Sequence, residues 1–275
     1  PSLRADSFSM SVMQRLQRAR KTSITFAPEA GTQRLRNTIN KNVTEQDLLQ
    51  SCRTAFEGGC SAVKLYFMLG LPTETDEDVI GIADLAQKVY WTWKEYAVSK
   101  SRGVRITVST SFFVPKPFTP FQWEAQISME EYHRRVELLN HAIKNKSIQY
   151  NWHEMNTSYI EAVLARGDRK LGAVLEAVWK DGGHLDAWGE YFSFERWMNA
   201  FEQTGIDPDF YARRERTKEE ALPWDMIDIG VHTNYLWRER EQAYRSVITP
   251  DCRVKCMGCG ANCLLPNGVC DEDRR

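Results

Sequence analysis

The chain has 275 residues, of which 42% are hydrophobic and 27% charged, and its formal net charge at pH 7 is −1. This length can bury a sizeable core, as one large domain or as a domain with an appendage. A charge so near zero excludes an overall attraction to nucleic acid or to an anionic membrane, although local basic segments remain. No apolar run is long enough to span a membrane, and residues 1–20 lack the apolar stretch of a secretion signal. We therefore expect a cytoplasmic protein with no membrane partner.

The first half of the chain predicts strands that alternate with helices. Strands are predicted at residues 23–27, 62–69, 104–114 and 148–153. Helices are predicted at residues 8–20, 33–40, 44–57, 76–97 and 128–146. This alternation is typical of a parallel sheet covered by helices, as part of a barrel or of a doubly wound sheet.

The stretch from Ala62 to Asp78 predicts a buried strand, a glycine turn and a helix start with Thr75 as its cap. Gly70 has no side chain, so a flat ligand can approach its backbone, and Glu74 follows the carboxyl end of the strand, where α/β folds bind ligands. Alternatively, the turn only joins the two elements and Glu74 is a solvated acid. The pattern alone leaves both interpretations open.

Polar residues in and after the strands indicate a ligand cavity. Lys64 lies within a strand and is costly to bury unpaired, so we expect it to face the interior near Glu29 or a substrate anion. The next strand alternates, with Ser109 and Ser111 on one polar face. His153 ends the last strand on the side where a site is expected.

The loop at residues 115–123 is rigid and proline-bound, and loops at this edge of a sheet carry function more often than their opposites. Lys116 and Gln122 are its polar candidates. Alternatively, the loop merely packs its aromatic side chains as a lid.

The second half predicts helices only, at residues 157–165, 169–180, 194–204 and about 209–214. We interpret five tryptophans in this half as packing anchors, namely Trp179, Trp188, Trp197, Trp224 and Trp237. The predicted domains are residues 1–155, a helical extension at 156–247 and a cysteine-rich tail at 248–275.

Five of the seven cysteines lie in the tail. Cys252, Cys256, Cys259 and Cys263 satisfy the ligand count of a four-iron cluster or of a structural zinc, with Cys270 as a spare or a substitute. Two alternatives to an iron-sulfur cluster remain open, a zinc site and a reduced tail without metal.

Three motifs taken together resemble one enzyme family. They are Pro28-Glu29-Ala30-Gly31-Thr32 with downstream residues 35–41, Gly70-Leu71-Pro72-Thr73-Glu74-Thr75, and the segment at 113–121. In order and spacing they resemble the radical S-adenosylmethionine superfamily, specifically its cobalamin-associated branch related to methylthiotransferases. The resemblance implies that residues 1–153 are the second half of a partial (β/α)6 TIM-like barrel. The remaining residues resemble the C-terminal extension of a bacterial subgroup.

The resemblance also implies roles for single residues. Glu29 stands where the family contacts the ribose of S-adenosylmethionine, and a carboxylate suits paired hydroxyls. The turn with Gly70, Pro72 and Glu74 stands where the family holds adenine. Lys41 occupies a position where relatives more often have Arg, and Lys binds a carboxylate without Arg's two-pronged geometry.

One departure from the family is an absence. Its catalytic iron-sulfur cluster is held by Cys-x3-Cys-x2-Cys after the first strand, and nothing resembling that motif precedes Glu29. The same spacing in the tail comes after the barrel strands, so we do not interpret it as the radical-generating site. We expect the C-terminal part of an enzyme that is inactive alone and that, when intact, cleaves S-adenosylmethionine to a 5′-deoxyadenosyl radical. Cobalamin is expected, if at all, in the full-length protein.

Two other classes of function stay open. In the first, the chain is a non-catalytic module in which the tail binds zinc and the basic loops at 94–105 and 213–218 hold RNA or a protein partner. In the second, it is an unrelated α/β enzyme that uses Glu29, Glu74 and His153 as acid-base groups.

Overall fold

The computed structural model describes residues 23–101, 103–252 and 254–264. The helix predicted at residues 8–20 lies outside this part. In chain order the elements are β1 (Ile24–Glu29), α1 (Gln33–Thr38), α2 (Glu45–Glu57), β2 (Ala62–Leu69), α3 (Asp76–Tyr96), β3 (Arg105–Phe112), α4 (Met129–Ala142), β4 (Ile148–Trp152), α5 (Met155–Ala165), α6 (Leu171–Lys180), α7 (Phe194–Thr204), α8 (Asp209–Ala212), α9 (Thr233–Tyr244) and a 3₁₀ turn at Ala261–Leu264. In this part of the chain, no helix combines the length and the apolar character needed to cross a membrane.

The strands form one parallel sheet in the order β1-β2-β3-β4. Along β2 every second side chain is buried, from Val63 to Leu69, and the alternate side chains are half-buried. One face of β2 is therefore packed and the other is more open. The fold is α/β, and its four-strand parallel sheet is compatible with part of a TIM-like barrel.

The elements predicted from the sequence are largely confirmed in this sheet region. β2 has the predicted bounds, and α2 begins after Thr44, whose hydroxyl accepts the Asp47 N–H in a reciprocal capping box. β3 is shorter than predicted: it ends at Phe112, whereas the prediction ends at Val114. Val114, predicted as its last residue, is buried instead in a helical core.

The chain divides into two compact units. The described residues of the first unit lie within 23–112, 130–153 and 243–248, and those of the second within 113–129, 154–242 and 249–264. The first unit contains the sheet with α1, α2, α3 and nearly all of α4.

The described residues of the second unit form two apolar clusters. The larger one is formed mainly by α5, α6, α7 and α8, and it includes Trp197. The smaller one contains Trp123 and Trp224, with Trp237 packed against it. Trp197, Trp224 and Trp237 are thus packing anchors, as the sequence predicts.

The same prediction is wrong for two other tryptophans. Trp179 is 68% exposed and Trp188 is 64% exposed. Trp179 lies on the outer side of α6, one helical turn after the exposed Leu175, and Trp188 lies in the loop that follows α6. Neither side chain is buried in the described part of the second unit.

Candidate functional site

Two turns follow the carboxyl ends of the neighbouring strands β1 and β2. β1 ends at Glu29, which has a φ of 69°, and the turn after β2 contains Gly70 with a φ of 93° and Thr73 with a φ of 65°. Positive φ is unusual for residues with side chains, and strained backbone of this kind is concentrated at functional sites. Both turns belong to the first unit, at the sheet edge where α/β folds bind ligands.

Glu29, at the start of the first turn, is paired with Lys41, which follows α1. The Lys41 Nζ lies 3.2 Å from the Glu29 Oε1, and the two side chains are 34% and 26% exposed. The carboxylate is therefore oriented by a cation and still reachable from solvent. Two residues that the sequence predicts as cofactor ligands are thus brought into contact.

Glu74 is almost completely buried in the second turn. Its Oε2 accepts the Gly70 N–H at 2.7 Å and also the Arg135 guanidinium, which α4 supplies. The side chain is 1% exposed, so Glu74 is not available for direct contact with a ligand. Burial raises the pKa of Glu74 to about 7, against the lowering effect of the Gly70 N–H and of Arg135. This carboxylate shapes the turn, and the interpretation of Glu74 as a solvated acid is wrong.

Lys64, Ser109 and Ser111 lie on the more open face of the sheet. The register pairs Lys64 with Thr25 on one side and with Thr107 on the other, and its Nζ lies 5.1 Å from the centre of the Tyr66 ring. Glu29 forms an ion pair with Lys41. The placement of Lys64 near Glu29 or a substrate anion stays a prediction.

His153 follows β4. Its backbone N–H donates to the Thr110 carbonyl at 2.9 Å, and its own carbonyl accepts from the Tyr132 hydroxyl at 3.2 Å. The residue is exposed. Its position is therefore fixed by the backbone.

The two polar candidates of the 115–123 loop, both in the second unit, have different environments. Lys116 is half-exposed and is paired with Glu161 of α5. Gln122 is 2% exposed, and its Oε1 accepts the Phe118 N–H and the Trp224 indole N–H. Gln122 therefore stabilises the loop instead of facing a ligand.

The cysteine-rich tail lies against the start of α9. The Cys259 carbonyl accepts the His232 N–H at 2.8 Å, and the Met257 carbonyl accepts from Arg238. Cys252 and Cys256 are exposed, and Cys259 is half-buried. These thiols have the right donor chemistry, but no three His, Cys, Asp or Glu side chains of the described residues are grouped to hold a metal ion. The Cys263 side chain and Cys270 lie outside the described residues.

Comparison with known proteins gives a family match for the N-terminal region. Residues 3–86 match the family model of the radical SAM superfamily. The described part of this match contains both turns. The superfamily implies S-adenosylmethionine and an iron-sulfur cluster as cofactors.

Two curated relatives each match this chain over only part of their own length. An uncharacterized protein of Methanocaldococcus jannaschii is 31% identical over 206 residues, which are 74% of this chain and 43% of that protein. The probable acetate kinase EutP of Salmonella typhimurium is 35% identical over 74 residues, which are 26% of this chain and 46% of that protein. The chain thus spans less than half the length of these curated relatives.

Among solved structures, dihydrodipicolinate synthase from Oceanobacillus iheyensis is 10% identical, with 87% of this chain and 81% of that chain covered. The TM-score is 0.25, which does not establish a common fold.

Sequence reasoning missed three residues that hold the turns in place, Arg34, Asp78 and Arg135. Asp78 stands three residues after Thr75, the spacing of a capping box, and this signal identifies its role at the helix start. No local signal identifies the arginines, because their partners lie 39 to 61 residues away.

Proposed function

We propose that this chain supplies the ribose and adenine side of the S-adenosylmethionine site in a radical SAM enzyme. The observation that carries the proposal is the pair of turns with positive φ at adjacent strand ends, both within the region that matches the superfamily. Glu29 belongs to one turn and is paired with Lys41 from the segment after α1, and Gly70, Pro72 and Glu74 belong to the other turn.

Each turn has a distinct task in this proposal. The Glu29 carboxylate accepts hydrogen bonds from the two ribose hydroxyls, and Lys41 holds it in place through their 3.2 Å contact. Gly70 offers its backbone to the adenine ring, with Pro72 limiting the shape of the turn. Glu74 does not contact the ligand in this proposal, because its carboxylate accepts hydrogen bonds from Gly70 and Arg135. It instead fixes the conformation of the turn that does.

The chemistry itself belongs to the cofactors. When bound, the iron-sulfur cluster supplies an electron, and S-adenosylmethionine supplies the 5′-deoxyadenosyl group that abstracts hydrogen. The residues of this chain orient the nucleoside and exclude water from it. We propose that the chain alone is inactive and that cobalamin, if used, is bound elsewhere in the full-length protein.

We further propose a substrate cavity beside this site. Lys64, Ser109 and Ser111 line it from the sheet, and His153 serves it from the loop after β4. Lys116, in the second unit, stays a predicted substrate-binding residue. The polar character of the sheet face supports this proposal, since a cation flanked by hydroxyl groups suits an anionic or hydrogen-bonding substrate.

The tail is proposed to bind an auxiliary iron-sulfur cluster or a zinc ion through Cys252, Cys256, Cys259 and Cys263, with Cys270 as substitute. The support is the spacing of thiols and the positive φ of Gly258 and Gly260, which allows tight turns. A cytoplasmic location and RNA or protein partners remain predictions.

The cofactor proposal is tested by calorimetric titration of the full chain with S-adenosylhomocysteine, which carries the same nucleoside but is not cleaved to a radical. Glu29→Gln is expected to weaken binding about tenfold or more, because hydrogen bonds to a charged acceptor contribute roughly 1.5–3 kcal/mol. Glu137→Gln, at an exposed acid of α4, is the control and leaves the affinity unchanged. Equal affinities of both variants would contradict the role of Glu29.

A further inference from the structure

The two proposed cofactor turns are joined by one buried carboxylate, that of Asp78. Asp78 is the third residue of α3, and its side chain is 3% exposed. It accepts hydrogen bonds from the hydroxyl of Thr32, just after the Glu29 turn, and from the Arg34 guanidinium. It also accepts the Thr75 N–H at 2.9 Å, just after the Gly70 turn.

Arg34 extends this link to the second turn. Its Nη2 donates to the Thr73 carbonyl at 2.8 Å, and its Nη1 donates to the Thr73 hydroxyl at 3.2 Å. Thr73 is the residue with positive φ between Gly70 and Glu74. The guanidinium of Arg34, a residue of α1, therefore holds the part of the Gly70 turn that has positive φ.

Backbone packing brings the same two segments together. A Cβ on Gly31 would lie 2.3 Å from the Asp78 carbonyl oxygen and 2.4 Å from the Ile82 nitrogen. Only glycine permits the Glu29 turn to approach α3 so closely. The contact and the Asp78 hydrogen bonds fix the distance between the two turns.

The environment of Asp78 keeps its carboxylate charged. Burial alone would raise its pKa, but hydrogen bonds from Thr32, Thr75 and Arg34 outweigh that effect and hold the pKa below its usual range. Thr32, Arg34 and Thr75, which donate these hydrogen bonds to Asp78, all belong to the first unit. This group is placed to position other residues, because it is too buried to contact a ligand itself.

We propose that Asp78 and Arg34 are positioning residues that hold the Glu29 turn, which binds the ribose, and the Gly70 turn, which binds the adenine, at a fixed separation. Because the separation is fixed, the site selects an intact adenine nucleoside over free adenine. This inference rests on the proposed function. A ligand that spans two turns gains affinity from both only if their separation is fixed, since ordering the turns on binding would consume part of that gain. Free adenine occupies one turn and does not depend on the separation.

The test uses Arg34→Ala in the full chain, because Arg34 is 42% exposed and its loss should not prevent folding. Arg53→Ala is a matched control, since Arg53 is 43% exposed and also forms an ion pair, but within α2. Affinities for S-adenosylhomocysteine and for adenine are measured by ligand-observed NMR on the unaltered chain and on both variants. We expect Arg34→Ala to weaken S-adenosylhomocysteine binding roughly tenfold, the equivalent of 1.4 kcal/mol, with little effect on adenine.

The outcomes separate this inference from the function beneath it. If the unaltered chain binds S-adenosylhomocysteine and Arg34→Ala behaves like Arg53→Ala, the positioning role is overturned and the proposed function stands. Equal weakening of both ligands by Arg34→Ala also overturns it, because a general loss of structure would explain the result. If the unaltered chain does not bind S-adenosylhomocysteine, the proposed function and the positioning role both fail.

Discussion

Three carboxylates near the two turns have different environments and therefore different tasks. Glu29 is partly exposed and paired with a lysine, which suits direct contact with a ligand. Asp78 is buried among donors that keep it charged, which suits a structural link. Glu74 is buried more completely, and burial raises its pKa despite its contact with Arg135. The exposure and partners of each residue, rather than its type, determine its task.

The raised pKa of Glu74 predicts a pH dependence of stability. The folded chain holds this proton up to about pH 7, whereas the ordinary pKa is 4.5. The folded state therefore binds more protons between these values, and the contribution of Glu74 to the free energy of unfolding falls as pH rises, by on the order of 3 kcal/mol across that window. Denaturant unfolding from pH 4 to 8 measures it.

The matched variants isolate this contribution from that of other acids. Glu74→Gln cannot ionise, so its stability should fall less than that of the unaltered chain over the same pH range. Glu137→Gln, an exposed acid on the same helix as Arg135, should keep the original profile. Parallel profiles for the unaltered chain and Glu74→Gln would show that the Glu74 pKa is not raised.

At the scale of elements, the sequence predicts the strands and helices whose ends are marked by local residue patterns. β2 is an apolar run ending at Gly70, and α3 begins at a threonine cap with acids in its first turn, so both are found as predicted. The sequence does not predict α9, because its central Arg238-Glu239-Arg240-Glu241 run interrupts the apolar pattern. The ion pairs Arg34–Asp78 and Arg135–Glu74 join distant segments, and local patterns do not specify which arginine meets which acid.

The tail is the element whose chemistry most needs a direct test. The unaltered chain, reconstituted anaerobically with iron and sulfide or supplied with zinc, is expected to retain about four iron atoms or one zinc ion after gel filtration. Cys256→Ser with Cys259→Ser should abolish retention, because two of the proposed thiolate ligands are lost. Cys52→Ala, at a buried cysteine of the first unit, should not reduce it. Metal contents are measured by mass spectrometry, and retention by the double variant would contradict the proposed ligand set.

At the scale of the whole molecule, the match to the superfamily and the helical second unit cover different parts of the chain. Residues 3–86 match the superfamily, whereas the similarity to the Methanocaldococcus jannaschii protein extends over 206 residues. The sequence predicts the parallel sheet of the first unit, since strands and helices alternate there. The prediction that Trp179 and Trp188 are packing anchors is wrong, because residue type alone does not determine whether a tryptophan is buried or exposed.

The central claim is that the turns at Glu29 and Gly70 bind one adenine nucleoside. The most direct measurement is an NMR titration of the ¹⁵N-labelled full chain with S-adenosylhomocysteine, following the backbone amides of residues 29–32, 70, 71 and 73–75. We predict that both groups of signals shift together and saturate at the same ligand concentration, because one ligand occupies both turns. Saturable shifts confined to other segments, or no shifts at all, would contradict the account.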